Sequence, residues 1–349
     1  MIDVVKIFVP SLFAFVFGLL ITPAVSRFLV GHKFWKKKSV IVATDGSTAS
    51  ITQSLHGDEE RKTPRMGGII VWSSALLTIF LFWLGAEVDG ELLNKLNFLS
   101  RNQTWLPVFT LIGGALIGLL DDYWTVSEIY DQKAGGLSFK KRIVMVTIVG
   151  LIGAWWFFFK LDMTSIYVPF AGHFDIGWLF IPFFLIVMLG TYSGGVIDGL
   201  DGLSGGVFAI IFSTYGVISF LGNQIDLSAF CFVLVGGLLA FLWHNTPPAR
   251  FFMSETGIMA LTMTLAVVAF LTQQVLLLPI IAFPLVISSA SSSIQLLSKK
   301  FRGGRKVFLV APLHHHFQAK GWPASTVVMR YWIVGVIASI LGIVLFLLG

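Results

Sequence analysis

Apolar positions gather in long blocks separated by short polar stretches. A helix crossing the roughly 30 Å hydrocarbon layer needs about 20 apolar residues. Ten blocks come near that length: 4–29, 66–85, 105–120, 143–159, 177–194, 203–221, 227–243, 257–274, 275–297 and 325–348. The pattern predicts an all-α polytopic membrane protein of about ten transmembrane helices, with 1–349 as one domain. The eighth and ninth blocks are parted only by Thr272, Gln273 and Gln274. A re-entrant segment there would change the count and flip the sides.

Charge tests the count independently, because cytoplasmic loops carry the excess of Lys and Arg. With the N-terminus outside, the cytoplasmic stretches are 30–65, 121–142, 195–202, 244–256 and 298–324. Together with Arg27 and Arg330 they hold 20 of the 24 Lys and Arg residues. Only Lys6, Lys95, Arg101 and Lys160 fall outside, so both termini are expected to face outward.

Composition agrees. Of 349 residues, 56% are hydrophobic and 12% charged, against about 25% charged in a soluble domain. That excludes a soluble globule, a disordered chain and a secreted enzyme. The single cysteine, Cys231, excludes a disulfide scaffold. The net charge of +6 follows the loop bias and points to membrane lipid, not nucleic acid. The N-terminus has no basic n-region or small-residue cleavage site, so the first block is expected to stay as an anchor.

Nearly every unusual polar cluster falls on the expected cytoplasmic side. Asp121 and Asp122 close the run LIGGALIGLLDD. Paired acids at a helix C-terminus oppose its dipole and each other, a conflict that a divalent cation or a basic substrate group would relieve. In GGVIDGLDGLSGG, Asp198 and Asp201 lie among glycines that let backbone N–H groups approach a phosphate; no P-loop sequence is present. In FLWHNTPPARFFMSETG, Pro247 and Pro248 break a helix near Asn245, Arg250 and Glu255, and Phe251 or Phe252 could stack on a planar base. In APLHHHFQAKGW, consecutive His314, His315 and His316 would diverge by roughly 100° on a helix but could face an anion together in a loop. No cysteine or HExxH pattern supports zinc. HGDEERKTPRMGG, before the second block, reads alone as a juxtamembrane anchor. The serines at 288, 289 and 291–293 read as close helix packing, with hydroxyls bonded back to the backbone.

The order KTPRMGG, LLDDY, GLSFKKR, DGLDGLSGG, FLWHNTPPARFFMSETG, APLHHHFQAKGWP resembles the phospho-N-acetylmuramoyl-pentapeptide-transferase family, within the polyprenyl-phosphate sugar-1-phosphate transferases. The resemblance covers almost the whole chain, and the triple histidine followed by Phe and GWP is its most specific mark. It implies a ten-span enzyme of the cell (inner) membrane with a cytoplasmic active site. Such an enzyme transfers phospho-MurNAc-pentapeptide from UDP-MurNAc-pentapeptide to undecaprenyl phosphate, giving lipid I and UMP, with Mg²⁺ as cofactor. Family members are often homodimers. By the same resemblance Asp121 acts on the lipid phosphate, and Asp122 and Glu255 join it at the metal. Asp198 and Asp201 line the nucleotide pocket, Phe252 stacks on uracil, and Asn245 is a polar pocket residue. His314, His315 and His316 lie near the diphosphate, and Thr63 belongs to the TPxMGG stretch.

Four stretches depart from the family pattern. The usual GDTGS is Ser254, Glu255, Thr256, Gly257 and Ile258 here, and the usual NxxNLTDG is YSGGVIDG, with Gly195 where Asn is expected. The Lys after DDxx is Thr125, with Lys133, Lys140 and Lys141 in the same loop, and the Lys before TP is Glu60, with Arg61 and Lys62 adjacent. The retained carboxylates and whole histidine triplet favour an active enzyme. Transfer of another sugar phosphate such as GlcNAc-1-phosphate is the near alternative. A secondary transporter would instead place ionisable groups near the bilayer midplane. The transferase reading requires Asp121, Asp198, Glu255 and His315 to converge.

Overall fold

A computed structural model describes residues 2–35, 63–88, 91–99, 102–127 and 136–349. Glu60, Arg61, Lys62, Arg101 and Lys133 lie outside the described residues. In hydrocarbon, backbone N–H and C=O groups must be satisfied within the segment, and the apolar blocks accordingly become helices. These are α1 (Ile2–Gly31), α2 (Ile69–Val88), the short α3 (Glu91–Leu96), α4 (Asn102–Ser127), α5 (Phe139–Trp155), α6 (Phe180–Ser193), α7 (Leu203–Leu221), α8 (Ile225–Asn245), α9 (Ser254–Leu271), α10 (Leu278–Ile281), α11 (Phe283–Phe301), α12 (Leu313–Ala319) and α13 (Ala324–Leu348). A small antiparallel hairpin, β1 (Ser165–Val168) and β2 (Gly172–Asp175), joins α5 to α6 with Ser165 opposite Asp175. Among the described residues nine helices are long and apolar enough to cross a membrane. The all-α, multi-span architecture therefore stands.

The ninth block differs from expectation. It is not one straight span but two pieces, Val275–Ile281 and Phe283–Phe301, bent by 80°. Pro279 and Pro284 sit in the first turns of α10 and α11, where proline is tolerated but cannot extend a preceding helix. Taken as one crossing, the bent pair brings the count to ten.

Contacts sort the helix ends into two faces. At one, Lys6 of α1 pairs with Asp226 of α8 at 2.5 Å, and Gln224 donates to the Leu271 carbonyl that ends α9. There too the Tyr167 hydroxyl of the hairpin bonds the carbonyl of Gly349. Both termini thus share this far face. The other gathers the ends of α4, α6 and α8 with the starts of α2, α5, α7 and α9. The axis is α9, in which every residue but Glu255 is buried; a helix apolar all round belongs in a core. α1 and α13 keep most of their surface outward. The serine-rich stretch of α11 behaves as expected: Ser288, Ser291 and Ser292 donate to carbonyls one turn back.

Candidate active site

Close packing of α4 on α9 places the first acids. A Cβ on Gly114 would meet the Met259 carbonyl at 2.6 Å, and one on Gly118 would collide with the Glu255 carbonyl. Only glycines let these backbones touch, and the next turn of α4 delivers Asp121 and Asp122 to the first turn of α9. The apolar run predicts both acids at a helix end. Instead α4 runs on to Ser127, and Asp121 and Asp122 are 1% and 0% exposed. Val126 in the following turn is again buried and the Thr125 hydroxyl donates to the Asp121 carbonyl, so the helix outlasts its apolar run.

Buried carboxylates need partners, since removing one side of such a pair typically costs 3–5 kcal/mol. Two arginines supply them. Arg65 donates from Nε and Nη2 to Asp122 Oδ1 at 3.1 and 3.0 Å, while Asp122 Oδ2 accepts the Thr256 N–H and hydroxyl at 2.9 and 2.7 Å. Arg142 bridges two acids, with Nε 3.0 Å from Asp121 Oδ1 and Nη1 2.7 Å from Glu255 Oε1. The Leu137 N–H also reaches Asp121 Oδ1 at 2.7 Å. Asp121 Oδ2 is buried with no hydrogen-bond partner among the described residues.

The loops around this core are pinned to one another. Asp198 and Asp201 sit in turns between α6 and α7, not on a shared helical face. Asp198 accepts the Ser204 hydroxyl at 2.6 Å and the Ser254 N–H at 2.9 Å, next to Glu255. Burial raises its carboxyl above the ordinary range, and those two bonds oppose the rise. Asp201 accepts the Ala249 N–H at 2.9 Å. Asn245 is buried, with its amide spanning the Gly202 N–H and the Phe251 carbonyl; both ends are engaged, so it ties two loops together. Met66 and Ser254 hold left-handed backbone at φ 67° and 57°, an uncommon conformation for non-glycine residues. They flank a backbone clasp in which Phe252 N–H donates to the Pro64 carbonyl and the Gly67 N–H to the Phe252 carbonyl. Phe251 is fully buried against Phe241 and His244. Phe252 is partly exposed and is the ring able to stack on a ligand. Thr63, also partly exposed, begins the described segment that leads into this clasp.

The histidines stand on helix α12, not in a loop, so they diverge. A Cβ on Gly199 would press on Nε2 of both His314 and His315, which places those two rings over the Asp198–Asp201 turn. His315 Nδ1 is 2.9 Å from Gln318 Oε1. His316 points elsewhere: its Nδ1 accepts the Leu309 N–H at 3.1 Å, and burial and nearby Lys320 lower its pKa. Asp121, Glu255, Asp198 and the first two histidines thus form one chain of contacts, and His316 lies outside it.

Two departures from the family pattern prove to be one. A Cβ on Gly195 would run into Ile258 Cγ2 of α9. The isoleucine standing where the family has serine fills the space that an asparagine at 195 would need.

Among the described residues no three His, Cys, Asp or Glu side chains are gathered as a closed metal cage. Mg²⁺ does not require one, since it commonly takes one or two carboxylates plus water and substrate phosphate oxygens. The orphaned Asp121 Oδ2, with Glu255 beyond the same guanidinium, fits that need. Asp122, the other acid expected at the metal, has its oxygens engaged by Arg65 and Thr256.

The model for Glycosyl transferase family 4 matches residues 104–273, which span all these acids. Over 334 residues the chain is 33% identical to the phospho-N-acetylmuramoyl-pentapeptide-transferase of Pelagibacter ubique, covering 89% of this chain and 86% of that one. It is 32% identical to the enzyme of that name from Listeria innocua over 95% of each. It is also 32% identical to that from Chloroflexus aurantiacus, over 96% of this chain and 88% of the relative. The chain belongs to the phospho-N-acetylmuramoyl-pentapeptide-transferase family. Two of its site residues, Arg65 and Arg142, escaped sequence reasoning although both lie in stretches that carry the family resemblance. Asp122 is 57 residues from Arg65, and Glu255 is 113 from Arg142. The available signal was the acid surplus itself, which demands cations if buried.

Proposed function

We propose that the chain is a single transferase unit. It moves phospho-N-acetylmuramoyl-pentapeptide from a UDP-linked donor to undecaprenyl phosphate, giving lipid I and UMP, the first membrane step of peptidoglycan synthesis. The observation that carries this reading is Asp121 Oδ2, a buried acceptor without a partner among the described residues, beside Arg142 and Glu255. Phosphoryl transfer asks a protein for positioning and charge neutralisation more than for covalent chemistry. An oxygen of the lipid phosphate attacks the donor's β-phosphorus, the bond from that phosphorus to the bridging oxygen breaks, and its electron pair leaves with UMP. Asp121 accepts or orients the proton of the lipid phosphate. Arg65 and Arg142 offset the carboxylates that would otherwise repel a diphosphate. Phe252 stacks on uracil and Thr63 lines the same pocket. His314 and His315 face the diphosphate from above the Asp198 turn, while Asn245 and Asp201 act indirectly by holding the loops. Mg²⁺, held by Asp121 and Glu255, would neutralise phosphoryl oxygens.

The face bearing the acids is proposed to be cytoplasmic and both termini external, in the inner membrane, because the basic residues concentrate at that end. A homodimer is the proposed assembly, by the family resemblance. Purified protein given UDP-MurNAc-pentapeptide, undecaprenyl phosphate and Mg²⁺ should release UMP. Release from UDP-N-acetylglucosamine and none from the muramoyl donor would overturn the donor assignment.

A further inference from the structure

After Glu255 the chain contains no Asp or Glu, yet it carries Lys299, Lys300, Arg302, Arg305, Lys306, Lys320 and Arg330. A cavity of about 400 Å³ opens within this stretch, lined by Lys306, Val307, Phe308, Leu309, His316 and Lys320. Its loop wall is held in place. Gln295 of α11, 6% exposed, takes the N–H groups of Val307 and Phe308 on its Oε1 and donates to the Phe308 carbonyl, and Ser298 donates to the Arg305 carbonyl. The opposite wall is α12, with the His316 ring edge-on to Phe308 at 5.6 Å.

The polar side chains of this lining offer donors alone. Lysine ammonium groups have no acceptor, and neither Lys306 nor Lys320 makes an ion pair among the described residues. Because His316 Nδ1 accepts the Leu309 N–H, a neutral ring carries its proton on Nε2 and donates from there. A pocket with two cations, a fixed N–H donor and no carboxylate selects an anion.

We propose that this pocket binds the C-terminal carboxylate of the donor's peptide. The inference rests on the donor reading above. A muramoyl group is an acyl group, so it holds its pentapeptide by the N-terminus and leaves the other end as a free carboxylate. An extended pentapeptide reaches about 17 Å, and a helix with side chains is about 10–12 Å across. A donor whose diphosphate lies under His314 and His315 can therefore pass its peptide around α12 to the His316 side. The one short helix presents two histidines to the phosphates and the third to the peptide end, which gives the diverging triplet a use for every ring.

The test is donor affinity by calorimetry in nanodiscs of neutral lipid, for wild type and K306Q/K320Q, each with UDP-MurNAc-pentapeptide and with its C-terminal carboxamide. Wild type should bind the amide about tenfold more weakly than the acid. The double variant should bind the acid about as weakly as wild type binds the amide, and should not discriminate further between them. Both lysines are at the surface, so an unchanged melting temperature verifies the fold. Equal affinities of wild type for the two donors, or a variant that weakens both alike, overturns the proposal. So does a variant effect that appears only when anionic lipid is added, which assigns the pocket to lipid headgroups. UMP release, measured on the same samples, separates the two readings: its loss with discrimination intact sinks the transfer reaction alone.

Discussion

The two ends of the bundle use the same ion-pair chemistry to opposite effect. At the far end the cation of Lys6 meets the carboxylate of Asp226 at 2.5 Å, with side chains 16% and 15% exposed. At the other, among the described residues, two guanidinium groups serve three acids, Asp121, Asp122 and Glu255, and one carboxylate oxygen is left buried and unpartnered. Asp198 adds a fourth carboxylate, held by the Ser204 hydroxyl and the Ser254 N–H. A balanced pair stabilises; a shortfall of positive charge around buried carboxylates favours a cation and, with it, a phosphate.

The largest effect should come from removing the unpartnered oxygen's charge. D121N keeps an acceptor for the Leu137 N–H and leaves Arg142 paired with Glu255, so its stability loss should stay below that of R142M while UMP release falls about 10³-fold, within the range for loss of a general base. Next comes Arg142. R142M leaves two carboxylates facing each other without their cation and should cost about 3–5 kcal/mol in unfolding free energy, whereas R142K should recover most of it. The Gly195–Ile258 contact predicts coupling: G195N alone should cost about 1–3 kcal/mol by overpacking, and I258S should relieve that cost in the double variant. Additive effects would separate the two positions.

Asp198 offers a pH test. Its folded-state carboxyl titrates above the unfolded value because of burial. Between the two pKa values the folded chain binds more protons, so stability falls as pH rises through that window. D198N should flatten the fall and raise the midpoint at neutral pH by about 2 °C, at the expense of activity. The smallest effect belongs to the far end, where K6Q/D226N should cost about 1 kcal/mol or less and leave UMP release alone.

The spans were legible because lipid punishes unsatisfied backbone, and long apolar runs have one stable outcome there. The bend at Ala282 was less so; only Pro279 and Pro284 announce it. The acids were legible as a cluster, but their burial was not. Nothing local to LIGGALIGLLDD shows that α9 covers its end, or that Arg65 and Arg142 arrive from distant segments. The histidine triplet was visible as chemistry, while its division between two sides of α12 depends on a helix that seven residues form only in context.

Manganese binding followed by electron paramagnetic resonance on wild type, D121N and D226N reads the charge deficit most directly. A single Mn²⁺ bound per wild-type chain, lost in D121N and kept in D226N, is the expected result. Binding that survives D121N, or disappears in D226N, would contradict it.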